Sequence, residues 1–250
     1  PMRCGGCGSK VGADILSDAL GALKLQSHGD VIVGLDSPDD AAVVKPHTGT
    51  VLVQTVDSFR SFIDDPFIFG KVAANHCLSD IFAMGATPQT ALAVVTLPLA
   101  AAQKMRNDLV QLMSGALEVF GAEQTAVVGG HTNEGAELSL GFAINGYIDP
   151  ARLSRKSGAK PTDQLIVSKP LGTGVLFAAE MRGKAKSRWV ESAILSMLQS
   201  NGPAAKCLRE FNASAITDIT GFGLVGHLLE MLRASGVNAT IVLNRLPLFE

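Results

Sequence analysis

The sequence predicts an α+β fold in two domains, and three observations support this. The chain of 250 residues is 47% hydrophobic and 18% charged, a composition typical of compact enzymes of mixed structure. Its predicted strands occur in pairs as well as in alternation with helices, which favours α+β layers over a doubly wound sheet. A polar segment at residues 149–158 separates two blocks. We therefore expect a glycine-rich segment of residues 1–12, a first domain of residues 13–153 and a second domain of residues 154–250.

Hydrophobic periodicity separates the helices from the strands of the first block. We expect helices over Val11–Leu25, Pro66–Met84 and Ala101–Phe120. The second of these begins with a proline, which is favoured in a first helical turn, and follows Asp64 and Asp65, which suit the positive end of a helix. The expected strands are Val31–Leu35, Ala41–Lys45, Val51–Val56, Thr90–Leu97, Thr125–Val128 and Leu138–Ile148.

In the second block, segments with the helical and with the strand periodicity of apolar residues follow one another in a different order. The expected helices are Gly174–Met181, Ser192–Ser200, Pro203–Phe211 and Leu224–Ala234. The expected strands are Gln164–Ser168, Ala213–Thr217 and Asn238–Leu243. Because the chain stops soon after a predicted strand, we expect the second domain to be incomplete.

Charge and hydropathy exclude several classes of function. The net charge of −2 indicates neither a nucleic-acid partner nor an acidic membrane surface. The longest apolar stretch, Ala91–Ala102, is too short to cross a bilayer. No leader of charged and then apolar residues precedes it, so we expect a cytoplasmic protein. Four cysteines in a chain of this length do not predict a disulfide scaffold.

Four aspartates, Asp40, Asp57, Asp80 and Asp218, lie in apolar sequence surroundings. A buried carboxylate is costly unless it is paired, hydrogen-bonded or bound to a cation. Each one alone could be a helix cap, a turn residue or a salt-bridge partner. Together they favour shared cations, and oxygen ligands of this kind suit Mg²⁺ bound to substrate phosphates. This pattern indicates nucleotide chemistry.

Residues 4–10, Cys-Gly-Gly-Cys-Gly-Ser-Lys, place two thiols and an amine in a glycine-rich segment. Glycine leaves the backbone free to fold over a ligand, and Lys10 could lower the pKa of the Cys7 thiol. A frayed terminus or a structural disulfide with Cys4 is the alternative. A zinc site is not expected, because no second ligand pair lies nearby.

Gly129, Gly130, His131 and Thr132 follow a predicted strand, where glycines let backbone N–H groups approach a phosphate. A plain β-turn would show the same pattern. The segment 221–226 has the spacing Gly-x-Gly-x-x-Gly but lacks the acidic residue that a dinucleotide site needs about 20 positions later, so we interpret it as a tight turn before a helix.

Three further side chains lie inside predicted helices. Cys77 and Cys207 are most simply small core residues. His76 precedes Asp80 by four residues and so shares its helix face, where it could contact a metal site, pack in the core or form an ion pair.

Eight segments, in this order, resemble selenophosphate synthetase, also called selenide, water dikinase. Two of them are Ser79–Gly85 and Thr217–His227, and their motifs Ser-Asp-Ile-Phe-Ala-Met-Gly and Thr-Asp-Ile-Thr-Gly-Phe-Gly are specific when they occur together. The others are Cys7–Lys10, Asp39–Val43, Thr55–Asp57, Asp64–Phe67, Gly129–Thr132 and Lys169–Gly174. Together they span nearly the whole chain. Aminoimidazole ribonucleotide synthetase, thiamine-monophosphate kinase and hydrogenase maturation factors share looser versions of them.

This resemblance implies a two-domain fold like that of aminoimidazole ribonucleotide synthetase and the conversion of ATP, selenide and water to selenophosphate, AMP and phosphate. It implies that Cys7 and Lys10 are catalytic, on a lid formed by residues 1–12. Asp40, Asp57, Asp80 and Asp218 would hold Mg²⁺ on the ATP phosphates. The ATP-binding residues would be Lys10, Asp57, Asp80, Gly129, Gly130, His131 and Thr132. The resemblance leaves open whether a monovalent cation binds as well.

The resemblance also implies a homodimer built across the first domains, with ATP near the interface. Some relatives follow an N-terminal flavoprotein domain, so a fusion of that kind is a further expectation. Ser9 and His76 depart from the common family pattern, in which these positions carry cysteine and asparagine. Two other functions are the alternatives: an ATP-dependent enzyme of the purine or thiamine pathway, and a non-catalytic redox module built on Cys4 and Cys7.

Overall fold

The computed structural model describes residues 13–25, 28–33, 35 and 42–249. The chain forms two compact units, the first of Pro1–Ile81 and Thr87–Asp149 and the second of Phe82–Ala86 and Pro150–Glu250. The elements of the first unit are α1 (Ala13–Gly21), β1 (Val31–Val33), β2 (Val43–Val44), β3 (Val51–Arg60), α2 (Pro66–Ala83), β4 (Thr87–Pro98), α3 (Ala102–Ala122), β5 (Ala126–Gly135) and β6 (Ser139–Ile148).

The centre of the first unit is a four-stranded sheet in the order β3-β6-β4-β5. β6 pairs antiparallel with both β3 and β4, whereas β4 and β5 are parallel. A parallel pair needs a crossover connection, and α3 supplies it. The predicted mixture of paired strands and crossover helices is therefore confirmed.

Helices α2 and α3 pack closely against each other. A Cβ atom added to Gly70 of α2 would lie 2.0 Å from the Leu112 carbonyl oxygen, and one added to Gly115 of α3 would lie 2.0 Å from the Phe67 carbonyl oxygen. Only glycine allows the two backbones to come this near. The fully buried side chains around them form the core: Phe69, Val72, Leu78, Ile81, Val95, Leu97, Leu112, Phe120, Leu140, Phe142 and Ile144.

A cluster of polar groups attaches the short β1–β2 pair to the large sheet. Asp30 Oδ2 accepts from Gln89 Nε2 at 3.1 Å and lies 2.9 Å from His47 Nε2. The His47 ring stacks on Tyr147 of β6, with 3.7 Å between the ring centroids. The hydrogen bond from Gln89, followed by the one from His47, lowers the pKa of Asp30 below its ordinary value.

The second unit contains four α-helices among its described residues: α4 (Thr173–Glu180), α5 (Ser187–Leu198), α6 (Gly202–Glu210) and α7 (Gly223–Ser235). The helices predicted for this block are confirmed with bounds shifted by one to five residues. The three strands predicted over residues 164–168, 213–217 and 238–243 are wrong for this described part of the chain. Within the described part of this unit, β pairing is limited to an isolated bridge between Leu171 and Leu248.

These corrections have a physical reason. An alternating pattern shows that a segment can enter a sheet, but a strand exists only where a neighbour accepts and donates its backbone hydrogen bonds. Leu165 and Ile166 are instead 48% and 71% exposed, and the Ile216 amide donates to the Arg155 carbonyl in a loop contact. In both described units, no helix is long and apolar enough to cross a membrane.

Candidate functional site

Two aspartates lie where α2 packs on β3. Thr55 and Asp57 are alternate residues of β3 and therefore point to the same side of the sheet. The Thr55 hydroxyl donates to Asp80 Oδ2 at 2.5 Å, and His76 Nε2 lies 3.3 Å from Asp57 Oδ2. We call Thr55, Asp57, His76 and Asp80 the carboxylate cluster. Each of its carboxylates is contacted by a side chain from the opposite element.

The start of α2 sets the position of the helical half of this cluster. Asp65 Oδ1 accepts a hydrogen bond from the Ile68 amide at 3.0 Å, as a helix cap does, and Pro66 is the first helical residue. The prediction that Asp65 stabilises the start of the helix is confirmed. His76 and Asp80 follow on one helix face, four residues apart.

Cys77 separates the carboxylate cluster from the core. Its side chain is fully buried, and its Sγ contacts the Asp57 carbonyl oxygen at 3.6 Å. Burial raises the pKa of the Cys77 thiol to about 12, with the nearby charges of Asp57 and Asp80 as smaller causes. The prediction of a core residue is confirmed for Cys77 and is wrong for Cys207, which is exposed.

The carboxylate cluster offers hard oxygen atoms to a solvent-accessible space. The side chains of Asp57 and His76 are 42% and 33% exposed, so a hydrated ion can reach them. Among the described residues no group of three or more His, Cys, Asp or Glu side chains could hold a metal ion. Mg²⁺ usually binds through one or two carboxylates, with water and substrate phosphates completing the shell, and Asp57 and Asp80 are two carboxylates of the kind it uses.

The glycine segment lies in a different environment from the one its sequence predicts. Gly129, Gly130, His131 and Thr132 do not form a turn after a strand but lie inside β5, which continues to Gly135. Gly130 has a φ of +157°, and a Cβ atom there would lie 2.1 Å from the Ala93 carbonyl oxygen of β4. The glycine thus permits close strand pairing, whereas the sequence suggested an end to the strand.

The carboxylate cluster and the glycine segment lie at opposite edges of the sheet. Asp57 pairs with Phe142, Phe142 with Ala93, and Ala93 with Gly130, so three strand spacings separate Asp57 from Gly130. At about 4.8 Å for each spacing this is roughly 14 Å. The structure does not bring these two predicted groups into direct contact within the first unit.

Comparison with known proteins identifies the family. The model of the AIR synthase related protein N-terminal domain matches residues 38–148, and that of its C-terminal domain matches residues 160–250. Selenide, water dikinase of Geobacter metallireducens is 40% identical over 99% of this chain and 72% of its own length. The enzyme of the same name from Clostridioides difficile is 37% identical over 98% of this chain and 70% of its own length. The chain belongs to the selenide, water dikinase family.

Solved structures of proteins with other names share the fold. Thiamine-monophosphate kinase from Stenotrophomonas maltophilia superposes with a TM-score of 0.77 at 25% identity, covering 94% of this chain and 74% of the other. The hydrogenase maturation protein HypE from Escherichia coli gives a TM-score of 0.65 at 20% identity, covering 89% and 68%. The predicted two-domain α+β architecture is confirmed. Of the predicted enzyme functions, the sequence relatives support selenide, water dikinase over the thiamine and purine alternatives.

Several predicted site residues of this dikinase family member are not tested by the geometry. Cys7, Lys10 and Asp40 lie outside the described residues. Asp218 is half-buried in the second unit, between α6 and α7. Its sharing of a cation with Asp57 and Asp80 stays a prediction.

The prediction of the site missed Thr55. A signal was present, because a threonine two residues before Asp57 in a strand must share its face. For His76, three roles were left open, and its contact runs to Asp57 of the opposite element.

Proposed function

We propose that the chain catalyses the reaction of ATP, selenide and water to selenophosphate, AMP and phosphate. In this reaction the γ-phosphoryl group is transferred to selenide with formation of a P–Se bond. Water takes the β-phosphoryl group as phosphate and leaves AMP. Identity of 36–40% to enzymes named selenide, water dikinase, over nearly the whole chain, is the observation that carries the proposal.

Asp57 and Asp80 are proposed to hold Mg²⁺ against the ATP phosphates, with Asp40 and Asp218 as the further carboxylates. When bound, the ion would neutralise charge that develops on the phosphoryl oxygens. Phosphoryl transfer depends mainly on positioning and charge neutralisation, so two oxygen ligands fixed by neighbouring side chains suit it. A monovalent cation remains a further candidate ion.

Gly129, Gly130, His131 and Thr132 are proposed to contact ATP from the edge of the sheet. β5 is an edge strand of the four-stranded sheet, and edge strands present backbone N–H and C=O groups to their surroundings. Gly129 and Gly130 leave this backbone accessible, and His131 and Thr132 add polar side chains. This contact is part of the proposal.

Cys7 and Lys10 are the proposed catalytic residues on the sequence evidence. A thiolate is a soft nucleophile suited to guiding selenide, and a lysine amine supplies positive charge for the phosphates. The spacing of the two residues in a glycine-rich segment supports the assignment. A Cys7→Ser variant is expected to lose selenide-dependent AMP formation.

The reaction is tested by incubating the chain with ATP, Mg²⁺ and selenide, measuring AMP by chromatography and selenophosphate by ³¹P NMR. We expect AMP to depend on selenide, and Asp80→Asn to lower its rate by at least about a hundredfold. Asp108→Asn is the matched control, because Asp108 forms a surface ion pair with Lys104 and should keep parental activity. Absence of selenide-dependent AMP from the parent chain would disprove the proposal.

We also propose that the enzyme is a cytoplasmic homodimer with ATP near the interface. The outer side of the sheet, away from α2, carries the exposed apolar side chains of Leu52, Val56, Leu92 and Val94. We call these four residues the outer apolar face. A second copy would bury such a surface from water. Fractionation of cells that express a tagged chain tests the location, and the full reading frame tests the predicted flavoprotein fusion.

A further inference from the structure

Each of the two carboxylates of the cluster is contacted by a side chain from the element that carries the other carboxylate. Asp57 belongs to β3 and is contacted by His76 of α2, whereas Asp80 belongs to α2 and accepts from Thr55 of β3. The ring of His76 is itself oriented by Phe59, which meets it edge to face with 5.0 Å between centroids. Neither Thr55 nor His76 is among the predicted catalytic, ATP-binding or metal-binding residues.

We infer that Thr55 and His76 are positioning residues that fix the two carboxylates for a divalent cation. This rests on the proposed function, in which Asp57 and Asp80 hold that cation. His76 Nε2 and Asp57 Oδ2 lie 3.3 Å apart, so the imidazole faces one oxygen of this carboxylate. Both contacts are made to the Oδ2 atom of the aspartate.

Outer hydrogen-bond partners of metal ligands have a characteristic energetic effect. They orient the ligand before the ion arrives. Their loss typically lowers metal affinity by about 10–100-fold, and we expect a loss of that order here. Loss of packing alone would lower stability without this effect. Metal affinity therefore separates a positioning role from a structural one.

The test measures Mn²⁺ binding by electron paramagnetic resonance, in the presence of a non-hydrolysable ATP analogue. We expect Thr55→Val and His76→Ala each to weaken Mn²⁺ binding by about 10–100-fold. Thr55→Ser and His76→Asn retain a donor and are expected to restore most of the affinity. Thr96→Val is the matched control, because the Thr96 hydroxyl donates to Asn133 on the same sheet at 2.9 Å and should leave Mn²⁺ affinity unchanged.

Each outcome decides the inference. If Thr55→Val and His76→Ala bind Mn²⁺ as the parent does, the inference is wrong while the proposed function stands. If the parent binds Mn²⁺ with the expected pattern of variants but forms no AMP with selenide, the inference stands and the proposed reaction fails. If the parent binds no Mn²⁺, both the metal site and the positioning role of Thr55 and His76 are refuted. Should either truncating variant unfold, Thr55→Ala or His76→Phe takes its place, because each also removes the donor: parental Mn²⁺ affinity overturns the inference, and a loss of about 10–100-fold supports it.

Discussion

At the scale of single residues, burial decides which thiol can react. The Cys77 side chain is fully buried with a pKa raised to about 12, whereas Cys207 is exposed. We expect iodoacetamide at mildly alkaline pH to alkylate Cys207 in the native protein and Cys77 only after unfolding, as peptide mass spectrometry would show. Equal rates at both positions would contradict this burial.

The raised pKa of Cys77 makes the stability of the protein depend on pH. Because the folded pKa of Cys77 lies above that of the unfolded thiol, the folded protein keeps a proton that the unfolded chain loses. The contribution of Cys77 is therefore complete below the unfolded pKa and declines as pH rises toward about 12. We expect the free energy of unfolding, measured in urea, to fall with rising pH between the unfolded pKa of a thiol and about 12. This fall should be smaller for Cys77→Ala than for the parent, because the variant lacks the thiol.

Residue chemistry alone predicted two members of the carboxylate cluster, whose role as a site stays a proposal. Asp57 and Asp80 were recognisable because carboxylates are costly in apolar surroundings. The partners of these two aspartates were not recognisable in the same way. Whether His76 contacts Asp80 of its own helix or Asp57 of β3 depends on how α2 packs on the sheet, and no local pattern encodes that packing.

At the scale of elements, the close approach of α2 and α3 depends on two glycines. Alanine at Gly70 or Gly115 would place a methyl group 2.0 Å from a carbonyl oxygen of the facing helix, so the helices would have to separate. We expect each substitution to lower the free energy of unfolding by about 1–3 kcal/mol in urea titrations, less any gain from helix propensity. Gly21→Ala is the control, because no atom lies within 4 Å of its added Cβ. A neutral result at Gly70 and Gly115 would mean that the helices are not in this close contact.

Elements whose boundaries have local causes were predicted well. The start of α2 at Pro66 follows from a capping aspartate and a proline, and its prediction matched the structure at that end. β5 was predicted too short, because glycines usually interrupt strands, whereas Gly130 permits close pairing with Ala93. The missing strands of the second block show the same limit, since ladder partners are not visible in a segment's own sequence.

At the scale of the whole molecule, the outer apolar face predicts association between copies. Leu52 and Val56 of β3 are 62% and 65% exposed, and Val56 is in register with Ala143, which is in register with Leu92. The apolar side chains thus form a continuous row across three strands, which a second copy could cover. Removing this surface from water would favour a dimer.

Charge placed on this face should therefore dissociate the dimer. We expect light scattering after gel filtration to give a dimer for the parent and a monomer for Leu52→Asp and Val56→Asp, with circular dichroism confirming that both variants fold. Phe211→Asp is the matched control, because Phe211 is 82% exposed in the second unit and its substitution should leave the dimer intact. A monomeric parent, or dimers unaffected by charge at Leu52 and Val56, would exclude the outer apolar face as the interface. If ATP binds near that interface, the two charged variants should also lose ATP affinity while Phe211→Asp retains it.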